Sequence, residues 1–381
     1  MFELTEEQLM IQNTVRKIAT EKIMPRAQEI DHADEFPMDI AEVLYENNIL
    51  GMAMPEEYGG IQADALTMSL VIEEAARGLT CIGPMLLSTN SVIRTIDIMG
   101  TEEQKHRFFS RLNEGPKLGA FCLTEPNAGS DAHSLKTYAK KVEGGYVLNG
   151  QKCFITLAIV ADLYLVFAKT NQDREISCFV VEKETEGLSF GKVEKKMGLH
   201  GSITADMFLE NAFVPEENRL GKEGDGWYIL NFVVNSMRAW GAASFALGNA
   251  QAALDYAVQY AKQREQFGKP IIEFQAIQFM IADMAILIEA ARCLVRMTNA
   301  RVDLEGGKIT RETLAMVAKA KCFAADVGMK VTTDAVQICG GNGYMQEYPV
   351  ERMMRDAKAI QILDGSNEIQ RFIIGRNLAK N

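Results

Sequence analysis

The sequence lacks most of what would mark a secreted, membrane-spanning or nucleic-acid-binding chain. It has no C-x-x-C pair: seven cysteines, at 81, 122, 153, 178, 293, 322 and 339, are odd in number and scattered, with no His at metal-ligand spacing. Neither a disulfide framework nor a metal site is expected, and the thiols read as buried small hydrophobes in a reducing compartment. Basic charge is in deficit, with 40 Lys and Arg against 51 Asp and Glu and a net charge of −11. Neutralising phosphates needs the opposite balance, so general nucleic-acid binding is disfavoured, although a local basic patch for one anionic ligand is not. No run of about 18 uncharged apolar residues is present for a membrane span. The opening stretch MFELTEEQLMIQNTVRKIA is amphipathic and carries acids, unlike a basic run ahead of an apolar core. No secretory signal is therefore expected, and the chain is placed in the cytoplasm.

What is present is an enzyme-sized chain of 381 residues, 48% hydrophobic and 24% charged, enough for a large core divided into two or three regions. From Leu4 to about Leu112 apolar residues recur at three and four, the period of helices, with Thr5 and Gln8 spaced as a capping box. Between Lys117 and about Gly226 the period is two. TYAKKV, YVLNGQKCFIT, LYLVFAK, ISCFVVEK, SFGKVEKK and ADMFLENAFV are short β-rich runs separated by Gly144-Gly145, Asn149-Gly150 and TNQDRE. They predict a small antiparallel barrel or sandwich. Helices return after GKEGDG, over Trp227 to about Lys262, about 274 to 304 and 311 to 338, and predict a bundle.

Several loops carry polar chemistry. FCLTEPNAGSD (121 to 131) gathers hydroxyls, amides and a glycine, so that Thr124, Gly129 and Ser130 can present donors to a polar ligand. In KCFIT, alternation puts Phe154 and Thr156 on one side of a strand. QREQFGKP sets Arg264 near Phe267 at a helix end, and QICGGNGY places three glycines after a helix, where backbone can approach a ligand or simply turn. QILDGSNEIQR (361 to 371) holds an Asp-Gly pair at the mouth of a helical tail.

These stretches, with PEEYGG, MGLHGSITADMFLENAFVPEENRLG, AKQREQFGKPIIEFQAIQFMIADM and RDAKAIQILDGSNEIQR, resemble the flavin-dependent acyl-CoA dehydrogenases over nearly the whole chain. The resemblance implies an α+β fold: an N-terminal all-helical domain (1–116), a middle antiparallel β-barrel domain (117–226) and a C-terminal four-helix bundle (227–381). It also implies a homotetramer, FAD as cofactor, an acyl-CoA substrate, and electron-transferring flavoprotein as the acceptor of electrons. Carried over by position, Leu123, Thr124, Gly129 and Ser130 lie near the flavin ring and the thioester tail, with Phe154 and Thr156 against the flavin. Arg264, Phe267 and Gln275 serve the pyrophosphate and adenine. Gln337, Gly340 and Gly341 do so from the adjoining subunit, and Ser366 and Glu368 hold FAD beside the active site.

The resemblance places the catalytic base at Asp364, where most relatives have Glu. The second place known in the family corresponds to Met237, which cannot remove a proton. Arg238 is expected to position the carboxylate or the CoA, and Gly365 lets backbone approach the thioester. Asp is one methylene shorter than Glu, about 1.5 Å of reach, and catalytic placement tolerates little misfit. A bulky alicyclic acyl group such as cyclohexane-1-carboxyl-CoA would bring its tertiary α-hydrogen nearer this base. Short-chain or branched acyl-CoA oxidation is the alternative. Other departures are Leu157 in place of a small polar residue, His200 in place of Arg, and Arg94 on an N-terminal helix. Arg94 faces solvent on the simplest reading, or reads an acidic substrate in a lyase or desulfinase on the same fold.

Overall fold

The computed structural model describes residues 4–170 and 175–379. Six helices open the chain: α1 (Glu6–Ile18), α2 (Ala27–Ala33), α3 (Met38–Glu46), α4 (Ala65–Gly78), α5 (Ile82–Met99) and α6 (Glu102–Leu112). The capping box forms at Thr5, whose hydroxyl accepts from Gln8 N at 3.2 Å while the Gln8 side chain accepts from Thr5 N at 3.1 Å. Thr101 and Gln104 repeat the device at α6. Each satisfies two amide donors that a helix start otherwise leaves unpaired. Between α1 and α2, residues Ala19–Ile23 form a π-helical turn.

Eight strands follow: β1 (Gly119–Cys122), β2 (Tyr138–Val142), β3 (Gly145–Thr156), β4 (Leu163–Lys169), β5 (Ile176–Glu182), β6 (Leu188–Val193), β7 (Thr204–Pro215) and β8 (Arg219–Leu220). They form one sheet in the order β6-β7-β3-β2-β4-β5-β8, with β1 added on β4. Pairing is chiefly antiparallel, but β1 runs parallel to β4, and β2 meets β4 in parallel at Tyr138 and Lys169. Four residues of the expected TNQDRE turn, 171 to 174, lie outside the described residues. The first six of the seven residues of both β4 and β5 are buried, so these strands are covered on both faces and do not alternate.

The remainder is helical: α7 (Gly226–Phe232), α8 (Met237–Trp240), α9 (Ala242–Gln263), α10 (Gln275–Leu304), α11 (Arg311–Cys339), α12 (Pro349–Ile360) and α13 (Asn367–Leu378), with a small hairpin of β9 (Glu265–Gln266) and β10 (Lys269–Pro270). Small residues let these helices approach closely. A Cβ on Gly248 of α9 would sit 2.1 Å from Glu73 O of α4, and the Ser69 and Ser244 hydroxyls bond at 2.7 Å across the same contact. One expectation is corrected. The stretch from Trp227 to Lys262 is three helices, broken at Val233 and Gly241, because tertiary contacts compete for its backbone. Ile309 N donates to Phe232 O at 3.0 Å and Gly241 lies where a Cβ would meet Leu87 at 2.3 Å, while locally the Ser236 hydroxyl donates to Val233 O at 2.5 Å.

The cysteines are unpaired, as expected, but Cys293 is exposed where all were expected to be buried. It sits on the outer face of α10. Among the described residues no helix is long and apolar enough to cross a membrane, and no cluster of His, Cys, Asp and Glu could hold a metal.

Candidate active site

Asp364 lies in the connection between α12 and α13. Asp364 and Gly365 are consecutive left-handed residues, at φ 54° and 81°. Such a pair reverses the chain within two residues, and Ser366 then caps α13 by accepting from Ile369 N at 3.4 Å. At Gly365 a Cβ would be strained by φ 81° and would displace the tips of Gln370, 2.7 Å away at Nε2, and Arg238, 2.9 Å away at Nη2.

The turn is fixed from below by residues that sequence reasoning missed. Lys321 of α11, fully buried, donates from Nζ to Gly365 O at 2.9 Å and to Asn367 Oδ1 at 3.0 Å. Gln370 adds a second donor to Gly365 O at 2.8 Å. Asn367 in turn donates to Cys322 O at 3.2 Å and to Asp326 Oδ1 at 2.8 Å. One signal for Lys321 was available. Ala318, Lys321 and Ala325 share a buried helical stripe, and a lysine on a core stripe requires dedicated partners.

The Gly365 carbonyl thus accepts two hydrogen bonds, whereas the neighbouring carboxylate has an oxygen with none. Asp364 Oδ2 is buried and has no hydrogen-bond partner. Two cations act on it from separate helices. Burial pushes the half-buried Arg238 guanidinium of α8 down, and the charge of Asp364 opposes that. Burial likewise pushes the Lys321 ammonium down to about 8, with Asp364 opposing and Arg238 adding to the shift. Met237, beside Arg238, is buried and carries no proton-accepting group.

The β sheet supplies a second group. The register of β3 on β7 slips between Lys152 and Ile155, a bulge that puts Phe154 at φ 56° and leaves its ring 69% exposed. Ile155 is buried, while Phe154 and Thr156 are not, so the two expected residues share the open side of the strand. The loop bearing Leu123, Thr124, Gly129 and Ser130 is tied to this bulge. Cys153 N donates to Thr124 O at 2.8 Å, and the fully buried Lys152 donates to Leu123 O at 3.1 Å and to Glu125 Oε1 at 2.8 Å. Thr137 N at 2.9 Å and Lys136 N complete the carboxylate of Glu125. Burial opposes its charge, but Lys152 and these donors hold it below the usual carboxylate range. Gly129 and Ser130 are exposed beyond this anchor.

Arg264, Phe267 and Gln275 gather at the β9–β10 hairpin and the start of α10. Ile271 N donates to Arg264 O at 2.8 Å, Phe267 turns the hairpin at φ 54° with its ring 94% exposed, and Gln275 is exposed at the first turn of α10. Gln337, Gly340 and Gly341 form a separate exposed group at the end of α11, where Gly340 has φ 60° and a Cβ on either glycine would meet nothing within 4 Å. Glu368 is exposed in the first turn of α13. Bare aromatic rings at Phe154 and Phe267, with open glycine backbone and an exposed guanidinium, fit a planar ring system joined to a pyrophosphate.

Of the departures, His200 is pinned between elements, Nδ1 lying 2.9 Å from Asp31 O and Nε2 2.9 Å from Lys196 O. Leu157 is buried at φ 64°, its N donating to Ile203 O at 2.8 Å. Arg94 does not face solvent as the simplest reading held. Its half-buried guanidinium reaches Asp97 at 3.4 Å and packs by Gly307 in the α10–α11 connection.

Known proteins share this arrangement. Family profiles match end to end: the acyl-CoA dehydrogenase N-terminal domain over residues 5–116, the middle domain over 120–212 and the C-terminal domain over 224–379. An acyl-CoA dehydrogenase of Bacillus subtilis is 47% identical over 380 residues, 98% of each chain. The cyclohex-1-ene-1-carbonyl-CoA dehydrogenase of Syntrophus aciditrophicus is 45% identical over 382 residues, 99% of this chain and 91% of its own. The solved butyryl-CoA dehydrogenase of Megasphaera elsdenii superposes with a TM-score of 0.94 at 42% identity, covering 100% of both chains. The chain belongs to the acyl-CoA dehydrogenase family, oxidoreductases that act on CH–CH bonds.

Proposed function

We propose that this dehydrogenase removes hydrogen from the α and β carbons of an alicyclic acyl-CoA, such as cyclohexane-1-carboxyl-CoA to cyclohex-1-ene-1-carboxyl-CoA, with Asp364 as the base. The observation that carries the reading is the buried, unbonded Oδ2 of Asp364 on a turn held in place by two donors, Lys321 Nζ and Gln370 Nε2, to the neighbouring Gly365 O. A carboxylate kept free of donors retains its lone pairs for a proton from the substrate α-carbon. Arg238 and Lys321 place positive charge beside it from two helices, and Gly365 is the point where backbone would meet the thioester. The shorter reach of Asp relative to Glu favours a tertiary α-hydrogen on a ring, and the similarity to a cyclohex-1-ene-1-carbonyl-CoA dehydrogenase supports the alicyclic ring, though not that hydrogen, which its named substrate lacks.

As a flavoprotein of this family the chain uses FAD, which when bound supplies the acceptor for the hydride leaving the β-carbon. Phe154 and Thr156 would flank its ring, with Leu123, Thr124, Gly129 and Ser130 beside ring and thioester tail. Arg264, Phe267 and Gln275 would take the pyrophosphate and adenine. Gln337, Gly340 and Gly341 would serve a neighbouring subunit in a homotetramer, and Ser366 and Glu368 the end near Asp364. Electron-transferring flavoprotein is the proposed electron acceptor, and the cytoplasm the proposed location.

Anaerobic flavin bleaching with a panel of acyl-CoAs tests the reading. Cyclohexane-1-carboxyl-CoA should bleach fastest. Faster bleaching by butyryl-CoA would move the assignment to short straight chains, and Asp364→Glu should shift preference that way. Product formation without bleaching would replace dehydrogenation with elimination.

A further inference from the structure

None of the residues given a role above lines the cavity of about 580 Å³ between the N-terminal helices and the bundle. Its walls come from the π-helical turn, the C-terminal end of α4, one face of α9 and the segment 346–353. The volume lies within the usual range for small-molecule sites, about 300–1,000 Å³. Ala19, Met24, Pro25, Ala252, Tyr256 and Met353 make much of the lining apolar. The π-helical turn widens the backbone at the wall, and such turns recur at functional positions.

Three guanidinium groups border this space, and two are already neutralised. Arg16 bonds Glu74 through Nε at 3.0 Å and again through Nη2, and Arg77 bonds Asp255 at 2.6 Å. Arg352 is different. Its residue is 8% exposed and lines the cavity, yet it makes no hydrogen bond and no ion pair with any described residue. Its charge is felt by Asp356 one turn on, but that carboxylate accepts from Leu199 N at 2.6 Å. No nitrogen of this guanidinium is both buried and unpartnered, so its planar fork of five donors is open to the cavity and free to take an anion. Glu347, exposed on the lining, disfavours a second negative charge on any occupant.

We infer that this cavity binds a small amphipathic carboxylate, with its head forked on Arg352 and its aliphatic or alicyclic body against the apolar wall. The site is separate from the Asp364 turn and does not depend on the substrate assigned there.

Calorimetric titration of the full-length FAD-loaded protein with octanoate tests it, with inorganic phosphate as a second titrant. Saturable binding of one octanoate per chain is expected. Arg352→Met should weaken it about tenfold or more, the worth of a charge-assisted pair, and Ala252→Trp should weaken it by placing an indole over the apolar wall where the body of the carboxylate lies. FAD content and melting temperature report whether each variant is folded. If Arg352→Met does not fold, Ala252→Trp decides alone. Octanoate held in the acyl pocket would bind both variants unchanged and overturn the proposal. Absent binding to the unmodified protein, or phosphate binding as tightly as octanoate, would overturn it as well.

Discussion

Two buried carboxylates in this molecule sit near buried lysines, and they are finished differently. In the β sheet, Glu125 has Lys152, Thr137 N and Lys136 N on its oxygens, so that both oxygens are engaged by donors. At the α12–α13 turn, Lys321 bonds the backbone of Gly365 and the side chain of Asn367, and Asp364 Oδ2 is left bare. The first arrangement fixes a loop to a strand. The second fixes a loop while keeping a base free. Burial and a nearby cation therefore do not identify a reactive group; where the donors point does.

The largest effect that would break this contrast is at the bare carboxylate. Asp364→Asn should slow acyl-CoA-dependent bleaching by about 10²–10⁴-fold, the usual worth of a general base, at unchanged FAD content. Stopped-flow absorbance measures it, and bleaching at the original rate would remove Asp364 from the chemistry. The corresponding loss at the saturated site is in stability. Lys152→Met leaves Glu125 buried beside two amides without its cation, and should cost about 3–5 kcal/mol, read as a lower melting temperature. If Lys152→Met melts no lower, the Glu125 pair is not the anchor described.

A smaller effect is expected at Gly365→Ala, where a left-handed φ costs about 1–2 kcal/mol for a residue with Cβ. The new methyl also meets Arg238 and Gln370, so kcat should fall along with thermal stability. Unchanged turnover would mean that the turn can shift without moving the base. Lys321 gives the subtlest test. Burial lowers its ammonium from 10.5 to about 8, so between those values the unfolded chain holds a proton that the folded chain has released. Stability from this group therefore rises with pH across the window, while the charge beside Asp364 is lost above about 8. The reductive rate should decline above that pH, and Lys321→Arg, which stays charged, should move the decline upward. An identical pH profile in the variant would assign Lys321 to the scaffold alone.

Much of the architecture is legible along the chain because periods are local. The switch from 3.6 to 2 and back reports three kinds of burial, the Thr5 and Gln8 pair announces the first helix, and Asp-Gly announces the turn. The placing of Phe154 and Thr156 on one side of the strand follows from alternation, although the bulge that lifts Phe154 does not, since it depends on the register against β7. Lys152 and Glu125 both lay inside stretches singled out for their polarity, yet their bond joins residues 27 positions apart.

The sequence by itself determined the element types, the family and the position of the carboxylate, because each rests on spacing within a few residues or on motif order. Only the tertiary structure decided which polar groups were left unmet. The break at Val233, the hold of Lys321 on Gly365, the bare oxygen of Asp364 and the unpaired guanidinium of Arg352 all depend on donors and acceptors from distant segments. Hydrogen-bond satisfaction is a property of the packed whole, and no local pattern encodes it.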